Sequence, residues 1–453
     1  MKIFSKLKSF YFLNSHFFKS LKRFDADISL HSTEFDGTER AGKSVRKRIW
    51  IYAESIGEFR IAVYVADIIG RIFSEKNGGA EPPLFFISFK TFSTLSVAQN
   101  RKDGEILYFF HPFLPARAVF KKYINSVKPD YFISVQHAVS KKLIKELLNF
   151  GFNSNSKLKL IFTGISVSDF KKMNINGESE IPNNVFLSSA ISLNSGGIDV
   201  KSEVLPLSLK YISCIGADKV NKIEKVEKFN RGENLEVKII SFVSIHKKES
   251  IYILKILKEI ASEEKIPKNL LLKFILVPRN IKIAGMLFKI ASDAGFKAVY
   301  YGLGKIENPN NLSKLRNLKE YGLEVFLNSK EVNVLIVERY GILNKIYPVS
   351  DIVYVGKSLF ATESGGHNIL EPAGYGKAVV TGKYALNFMD ITGEMAKNKA
   401  LILTDEKNIK ESILKLIEDD NLRTKTGRNG LDFCLKKKEE FEEYFKKYLA
   451  AML

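Results

Sequence analysis

The residues best suited to chemistry lie in the segment 351–388, where a strand-like run is followed by a glycine-rich turn and a helix. The turn lets the backbone approach a ligand closely, and the N-terminus of the following helix favours an anion. Glu371 falls in the first helical turn, where a carboxylate can accept hydrogen bonds from two vicinal ribose hydroxyls. A structural role, in which Glu371 complements the helix dipole, fits this segment equally well. The residues of interest are Gly365, Gly366, His367, Asn368 and Glu371.

Short apolar strands alternate with longer amphipathic helices from Arg48 onward, and these elements must position the turn. Such a pattern predicts parallel sheets covered on both faces. The strands are expected in two series: 49–53, 84–88, 106–110, 131–135 and 158–163, then 237–243, 271–277, 334–337, 352–355 and 378–381. A charged stretch separates the series, so we expect two Rossmann-like domains with a ligand cleft at their strand ends.

The predicted organisation has five parts. They are a basic-aromatic segment with a linker at 1–47, an N-terminal domain at 48–218, a linker at 219–234, a C-terminal domain at 235–420, and a helix at 421–453 over the join. The heavily charged segment 411–449 is predicted to be helical. Zinc-finger spacing, aromatic RNA-binding motifs and a basic region with heptads do not occur, so no nucleic-acid partner is expected.

Composition excludes several classes of protein. The chain has 453 residues, with 45% apolar and 26% charged, which is typical of a folded soluble protein. Its two cysteines, Cys214 and Cys434, are too few for a disulfide framework or a cysteine-rich zinc site, and favour a reducing compartment. No run of about 18 apolar residues predicts a membrane-spanning helix. The net charge of +20 calls for an anionic partner, and nucleic acid, a membrane surface or phosphorylated substrates would each fit the charge alone.

The first 24 residues combine basic and aromatic side chains and contain no acid. Lysines at 6 and 8, with Asn14 and His16, interrupt the apolar run that a secretory signal requires. One helical face would be apolar, through Phe10, Leu13, Phe17, Leu21 and Phe24. This pattern predicts a helix lying at an anionic bilayer surface. A helix packed on the protein's own surface is the alternative.

Five segments, taken together, resemble motifs of the 3-deoxy-D-manno-octulosonic acid (Kdo) transferases of lipopolysaccharide assembly. The final one is highly specific, whereas each of the others would be weak alone. They follow the family's order and cover most of residues 48–390. The segments are Ile49 to Glu58, Ser244-Ile245-His246 with Glu249, Val277-Pro278-Arg279, Arg339 to Leu343 with Ile346, Tyr347 and Asp351, and Gly365 to Pro372.

The resemblance implies a GT-B fold, in which two Rossmann-like domains with parallel sheets face a central cleft. It implies transfer of Kdo from CMP-Kdo to a lipid A precursor, lipid IVA, by a peripheral enzyme at the cytoplasmic face of the inner membrane. It implies neither a metal nor another cofactor. The sequence agrees, since the Asp25–Asp27 pair lies in a predicted linker and the six histidines lack zinc spacing. The oligomeric state stays open.

With this resemblance, the candidate residues take roles in sugar transfer. Glu58 is expected to be the general base for the acceptor hydroxyl, and a plain acid at a helix N-terminus is the alternative. Arg279 and the backbone N–H groups at Gly341–Leu343 would stabilise the phosphate of the departing CMP, although Arg279 also suits a surface ion pair. The donor set is Arg279, Gly341, Ile342, Leu343, Asn368 and Glu371, with possible contacts from Ser55, Gly57, His246, Gly365, Gly366 and His367.

Several positions depart from the family motifs. An acid-rich run is replaced by Ser134 to Ser140, and 163–168 lacks the family's arginine. Lys357 replaces a glycine, Asn280 a histidine and Ile342 a glutamate. Three hypotheses therefore stay open. They are a Kdo transferase, a related transferase with another acceptor or another CMP-linked acid sugar, and a non-catalytic nucleotide-binding relative.

Overall fold

The computed structural model describes residues 46–76, 82–90, 106–110, 117–135, 139–153, 158–163, 185–188, 236–302, 321–363 and 365–452. The basic-aromatic segment 1–24 and the linker predicted at 219–234 lie outside these ranges. The chain divides into two compact units. Met1–Ile212 with Phe441–Leu453 is called the N-terminal unit, and Ser213–Glu440 the C-terminal unit. Each is described by itself.

The N-terminal unit contains a six-stranded parallel sheet with the order β3-β2-β1-β4-β5-β6. Its strands are β1 (Arg48–Tyr52), β2 (Leu84–Phe89), β3 (Ile106–Phe110), β4 (Tyr131–Val135), β5 (Lys159–Thr163) and β6 (Val185–Ser188). Its helices between strands are α1 (Ile56–Lys76), α2 (Arg117–Val127) and α3 (Lys141–Asn153). Trp50 is fully buried at the centre of the sheet, where its indole N–H donates to the Ser88 Oγ at 2.8 Å. Burial of that ring therefore leaves no unsatisfied donor.

The C-terminal unit contains a seven-stranded parallel sheet with the order β13-β12-β11-β7-β8-β10-β9. Its strands are β7 (Glu236–Ile245), β8 (Leu270–Pro278), β9 (Ala298–Gly302), β10 (Val334–Glu338), β11 (Ile352–Val355), β12 (Ala378–Gly382) and β13 (Ile402–Thr404). Its helices are α4 (Lys247–Ala261), α5 (Ala284–Asp293), α6 (Tyr321–Asn328), α7 (Leu343–Val349), α8 (Leu370–Gly374), α9 (Met389–Lys397) and α10 (Ile409–Glu418).

Alternate strand residues of this sheet share one hydrophobic core with α4, α5 and α10. The strand residues are Ile240, Phe242, Phe274, Leu276, Val334, Ile336, Ile352, Tyr354, Ala378 and Val380. Their neighbours of opposite parity, such as Val243, Ile275, Leu335 and Val353, are buried as well. Because successive strand residues point to opposite faces, both faces of the sheet are covered. The prediction of two α/β domains with parallel sheets is confirmed.

The last helix, α11, runs from Asp420 to Met452. The structure divides the predicted helical segment 411–449 at Asp419, whose extended backbone ends α10. The Asp419 carboxylate accepts a hydrogen bond from the Leu422 backbone N–H at 2.8 Å and so caps α11. The end of α11 belongs to the N-terminal unit, where Glu442 lies 3.6 Å from the Arg71 guanidinium. The predicted domain boundaries stay predictions.

None of the helices within the described ranges is long and apolar enough to cross a membrane.

Candidate active site

Each sheet has a topological switch point, where two neighbouring strands connect onward in opposite directions, and candidate residues follow the strands beside it. The switch point lies between β1 and β4 in the N-terminal sheet and between β7 and β11 in the C-terminal sheet. In doubly wound sheets, ligands bind outside the carboxyl ends of the strands at such points. Glu58 lies just beyond β1, His246 follows β7, and Lys357 follows β11 by two residues. Each unit thus presents candidate residues where its topology favours a ligand.

In the N-terminal unit, the Glu58 side chain closes a reciprocal cap at the start of α1. Its Oε2 accepts hydrogen bonds from the backbone N–H groups of Glu54 at 2.6 Å and Ser55 at 3.0 Å. The Glu58 N–H lies 3.3 Å from the Ser55 Oγ, to which it donates. This is the capping box expected of a Ser-x-x-Glu spacing. Glu58 therefore makes the contacts of a plain acid at a helix N-terminus, which is the alternative to a general base. The same contacts hold its carboxylate in one orientation.

A second carboxylate beside Glu58 was not selected from the sequence. The Glu54 Oε1 accepts a hydrogen bond from the Tyr52 hydroxyl at 2.8 Å and lies 3.1 Å from the Lys90 ammonium. Burial, followed by the charges of Glu54 and Glu58, raises the pKa of Tyr52 well above its ordinary value. The tyrosine is therefore a neutral hydrogen-bond donor at neutral pH. Glu54 lies in the family-like segment Ile49 to Glu58. Its proximity to Lys90 follows only from the register of β1 and β2, which the sequence does not show.

In the C-terminal unit, the buried carboxylate of Glu249 holds the backbone that follows β11. Glu249 is 1% exposed. It accepts hydrogen bonds from the Tyr354 hydroxyl at 2.6 Å and from the N–H groups of Lys357, Ser358 and Leu359 at 2.7, 3.3 and 3.2 Å. We call residues 356–359 the clamped turn. A Cβ at Gly356 would lie 2.6 Å from the Glu249 Oε2, so only glycine fits there.

The paired glycines shape the loop beside the clamped turn. Gly365 and Gly366 have φ values of 134° and 72°, in the region that favours glycine. A Cβ at Gly366 would lie 2.8 Å from the Cα of Ala385. The Gly366 N–H donates to the Lys357 carbonyl at 2.7 Å and thereby joins the loop to the clamped turn. The two glycines are required by backbone conformation and by this close approach.

Two histidines that are distant in sequence meet at the switch point of this sheet. The Nε2 atoms of His246 and His367 are 3.1 Å apart, and their rings stack with centroids 5.4 Å apart. Burial, followed by the electrostatic influence of Arg279, His246 and Lys357, lowers the pKa of His367 to about 4. His367 is therefore neutral at neutral pH and can accept or donate a hydrogen bond. Arg279, His246 and Lys357 thus each lie within electrostatic range of His367.

Arg279 and the loop before α7 contribute the remaining predicted donor residues. Arg279 lies immediately after β8 and is exposed. Its backbone N–H donates to the Ile245 carbonyl at 2.9 Å. Gly341 is exposed with a φ of 79°, and Leu343 begins α7. Ile342 is buried, with 5% exposure. Ile342, which stands where the family has glutamate, thus packs its side chain inside the unit. Only its backbone remains available for contact with a ligand.

Asn368 and Glu371 lie at the start of the five-residue helix α8. The Asn368 Oδ1 accepts a hydrogen bond from the Leu370 N–H at 3.0 Å, which fixes the entry to the helix. The half-buried Glu371 carboxylate accepts a hydrogen bond from the Tyr347 hydroxyl of α7 at 3.3 Å. Tyr347 lies in a family-like segment, but the sequence indicated no role for its hydroxyl. Within the described part of the chain, no group of three His, Cys, Asp or Glu side chains gathers as a metal site.

Comparisons with known proteins identify relatives in one family. A 3-deoxy-D-manno-octulosonic acid transferase of Aquifex aeolicus is 34% identical over 188 residues, or 42% of this chain and 43% of that protein. One of Rickettsia bellii is 24% identical over 415 residues, or 87% of this chain and 86% of that protein. A bifunctional glycosyltransferase/methyltransferase of Fusobacterium nucleatum is 27% identical over 400 residues, 83% of this chain and 55% of that protein. The chain thus spans about half the length of the Fusobacterium and Aquifex relatives.

No protein-family model matches the chain. Among solved structures, the C-terminal CMP-Kdo binding domain of WaaA from Acinetobacter baumannii covers 49% of this chain and 97% of its own, with 20% identity and a TM-score of 0.35. The UDP complex of MnaA from S. aureus covers 89% and 97%, with 12% identity and a TM-score of 0.46. Both TM-scores are low, so the fold assignment rests on the strand orders above. The resemblance to Kdo transferases is confirmed by the curated relatives.

Proposed function

We propose that this relative of the Kdo transferases moves Kdo from CMP-Kdo to a lipid A precursor, lipid IVA. The observation that carries the proposal is the group of basic side chains at the switch point of the C-terminal sheet. Arg279, Lys357 and the histidine pair adjoin the paired-glycine loop, and the sequence of that loop is the family's most specific motif. A site of this charge suits a nucleotide-linked acid sugar.

On the donor side, the C-terminal unit would bind CMP and stabilise its departure. The phosphate gains negative charge as its bond to the sugar breaks, and Arg279 with the N–H groups at Gly341–Leu343 would offset that charge. Glu371 would accept hydrogen bonds from the ribose hydroxyls, with Tyr347 orienting its carboxylate. His367, which is neutral, and His246 would supply hydrogen bonds to the donor.

On the acceptor side, the N-terminal unit would supply the base. The acceptor hydroxyl attacks the anomeric carbon of Kdo while Glu58 takes its proton, and the bond from that carbon to the CMP phosphate oxygen breaks. The two N–H bonds to the Glu58 Oε2 restrict the carboxylate to one orientation.

Calorimetric titration of CMP and UMP tests the donor assignment. CMP is expected to bind more tightly than UMP, and Glu371→Ala is expected to weaken CMP binding by roughly 1.5–3 kcal/mol, the scale of a hydrogen bond to a charged group. Tyr347→Phe is expected to weaken CMP binding less than Glu371→Ala does, because it removes the 3.3 Å contact to Glu371 and leaves the carboxylate. Equal affinity for both nucleotides, or unchanged CMP binding in Glu371→Ala, would contradict a CMP-linked donor.

A second candidate is transfer to a different acceptor. It is favoured by the departures in the N-terminal half, where two acids and an arginine of the family motifs are missing from 134–140 and 163–168. Residues 136–138 and 164–168 lie outside the described ranges. Mass analysis of the product formed from CMP-Kdo and a mixture of lipid acceptors distinguishes the two candidates.

We also propose that residues 1–24 attach the enzyme to the cytoplasmic face of the inner membrane. Their basic and aromatic composition suits an anionic bilayer surface. Deletion of residues 1–24 is expected to weaken cosedimentation with anionic vesicles strongly, and binding of the full chain is expected to fall as salt rises. Equal vesicle binding by both proteins would indicate that the segment packs on the protein instead.

A further inference from the structure

We infer that the Lys357 ammonium binds an anionic group of the donor, so that Lys357 and Arg279 together accept a ligand with two such groups. The inference rests on the proposed function and adds a residue that stands where the family motif has glycine. Its basis is the conformation of the clamped turn, the position of the Lys357 side chain and the absence of an ion-pair partner within the described ranges.

The backbone at Lys357 adopts a conformation that lysine seldom takes. Its φ is 63°, in the left-handed region where any side chain is disfavoured relative to glycine. The Lys357 N–H donates to Glu249 and its carbonyl accepts from Gly366, each at 2.7 Å. Both contacts are made by main-chain atoms and are available to glycine. What lysine adds over glycine at this position is therefore its side chain. Backbone strain of this kind is concentrated at functional sites.

The Lys357 side chain crosses the paired-glycine loop. Its Cε and Nζ atoms lie 3.2 Å from the point that a Cβ would occupy at Gly365. The ammonium is also close enough to His367 to lower the pKa of that imidazole, as Arg279 does from its position after β8. Lysine and arginine charges therefore converge on the same loop.

These two cations have no carboxylate partner among the described residues. Neither Lys357 nor Arg279 forms an ion pair there. Glu249, the buried carboxylate next to Lys357, accepts its hydrogen bonds from Tyr354 and the clamped turn's N–H groups. Lys357 is half-buried and Arg279 is exposed, and both charges act on His367, so an anion at this loop would be attracted by both. An acid sugar linked to CMP carries two anionic groups, a phosphodiester and a carboxylate.

The test compares variants at 357 with a matched lysine. Lys357→Met keeps the length of the side chain and removes its charge, whereas Lys357→Arg keeps the charge. Lys399→Met is the control, because Lys399 is an exposed lysine of the same unit with a φ of 53°. Lys357→Gly is a second variant that relieves the left-handed strain, so it is expected to fold at least as stably as the wild type.

Lys357→Met and Lys357→Gly are expected to raise the KM for CMP-Kdo by roughly tenfold to a hundredfold, with Lys357→Arg close to wild type and Lys399→Met unchanged. A parallel loss of CMP affinity in calorimetry assigns the lysine to the phosphate. Unchanged CMP affinity with a raised KM assigns it to the sugar carboxylate. Wild-type KM and CMP affinity in both neutral variants would overturn the inference and leave the proposed function intact.

Titration with inorganic pyrophosphate separates failure of the inference from failure of the proposed function. If the wild type binds pyrophosphate and Lys357→Met binds it at least tenfold more weakly, the anion site stands even where CMP is not preferred over UMP. That combination would contradict only the proposed CMP-linked donor. If the wild type and Lys357→Met bind pyrophosphate and CMP equally well, Lys357 is not an anion-binding residue.

Discussion

Glu58→Gln is expected to lower the turnover number for sugar transfer by at least about a hundredfold, the usual scale for loss of a general base. Glutamine has nearly the same size as glutamate, and its amide oxygen can accept the hydrogen bonds from the N–H groups of Glu54 and Ser55. The start of α1 should therefore remain capped while proton transfer is lost. Steady-state kinetics at saturating donor and acceptor measures the change, and CMP affinity should be nearly the same as in the wild type.

Glu58→Ala distinguishes the base from the cap. Alanine removes both functions, so it should lose turnover like the glutamine variant and also lose about 1 kcal/mol of stability. If Glu58→Gln retains near-normal turnover while Glu58→Ala is destabilised, Glu58 is a capping residue only. The catalytic assignment would then be wrong, although the fold and donor assignments would be unaffected.

Glu249→Ala is expected to destabilise the C-terminal unit by about 3–5 kcal/mol, because removing one side of a buried charged network leaves its partners unsatisfied. The partners are the Tyr354 hydroxyl and the N–H groups of Lys357, Ser358 and Leu359. CMP binding should weaken as well, since the clamped turn positions Lys357. Urea unfolding followed by circular dichroism measures the stability loss.

Glu259→Ala is the matched control for this variant. Glu259 lies on the same helix, α4, but is only half-buried. Its removal is therefore expected to change stability by no more than about 0.5 kcal/mol. Equal urea midpoints for the two variants would contradict the assignment of the network as the support of the clamped turn.

The strands were predictable from the sequence where burial on both faces produces apolar runs. All ten predicted strands are present, with ends within two residues of the observed ones. Three further strands in the described part of the chain were not predicted, and they carry weaker patterns. β6 and β13 have only four and three residues, and β9 ends in Tyr301 and Gly302 after a short apolar pair. Local periodicity does not detect strands with such weak apolar patterns, because their pairing partners define them.

The motifs identified where the candidate residues lie, but not how they contact each other. His246 and His367 are 121 positions apart and meet because β7 and β11 are neighbours in the sheet. The capping role of Glu58 was available from its Ser-x-x-Glu spacing. The role of Glu249 was not, because its partners are mostly backbone N–H groups, which have no sequence signature. The departure at Lys357 was visible in the sequence, whereas its left-handed backbone was not.

The most direct measurement of the central claim is the reaction of the full chain with CMP-Kdo and lipid IVA. We predict release of CMP together with an equal amount of a lipid product heavier by Kdo, with both signals lost in Glu58→Gln. Chromatography quantifies CMP, and mass spectrometry identifies the lipid. No CMP release above the rate of donor breakdown without enzyme, or CMP release without a Kdo-bearing lipid, would contradict the proposed Kdo transfer to lipid IVA.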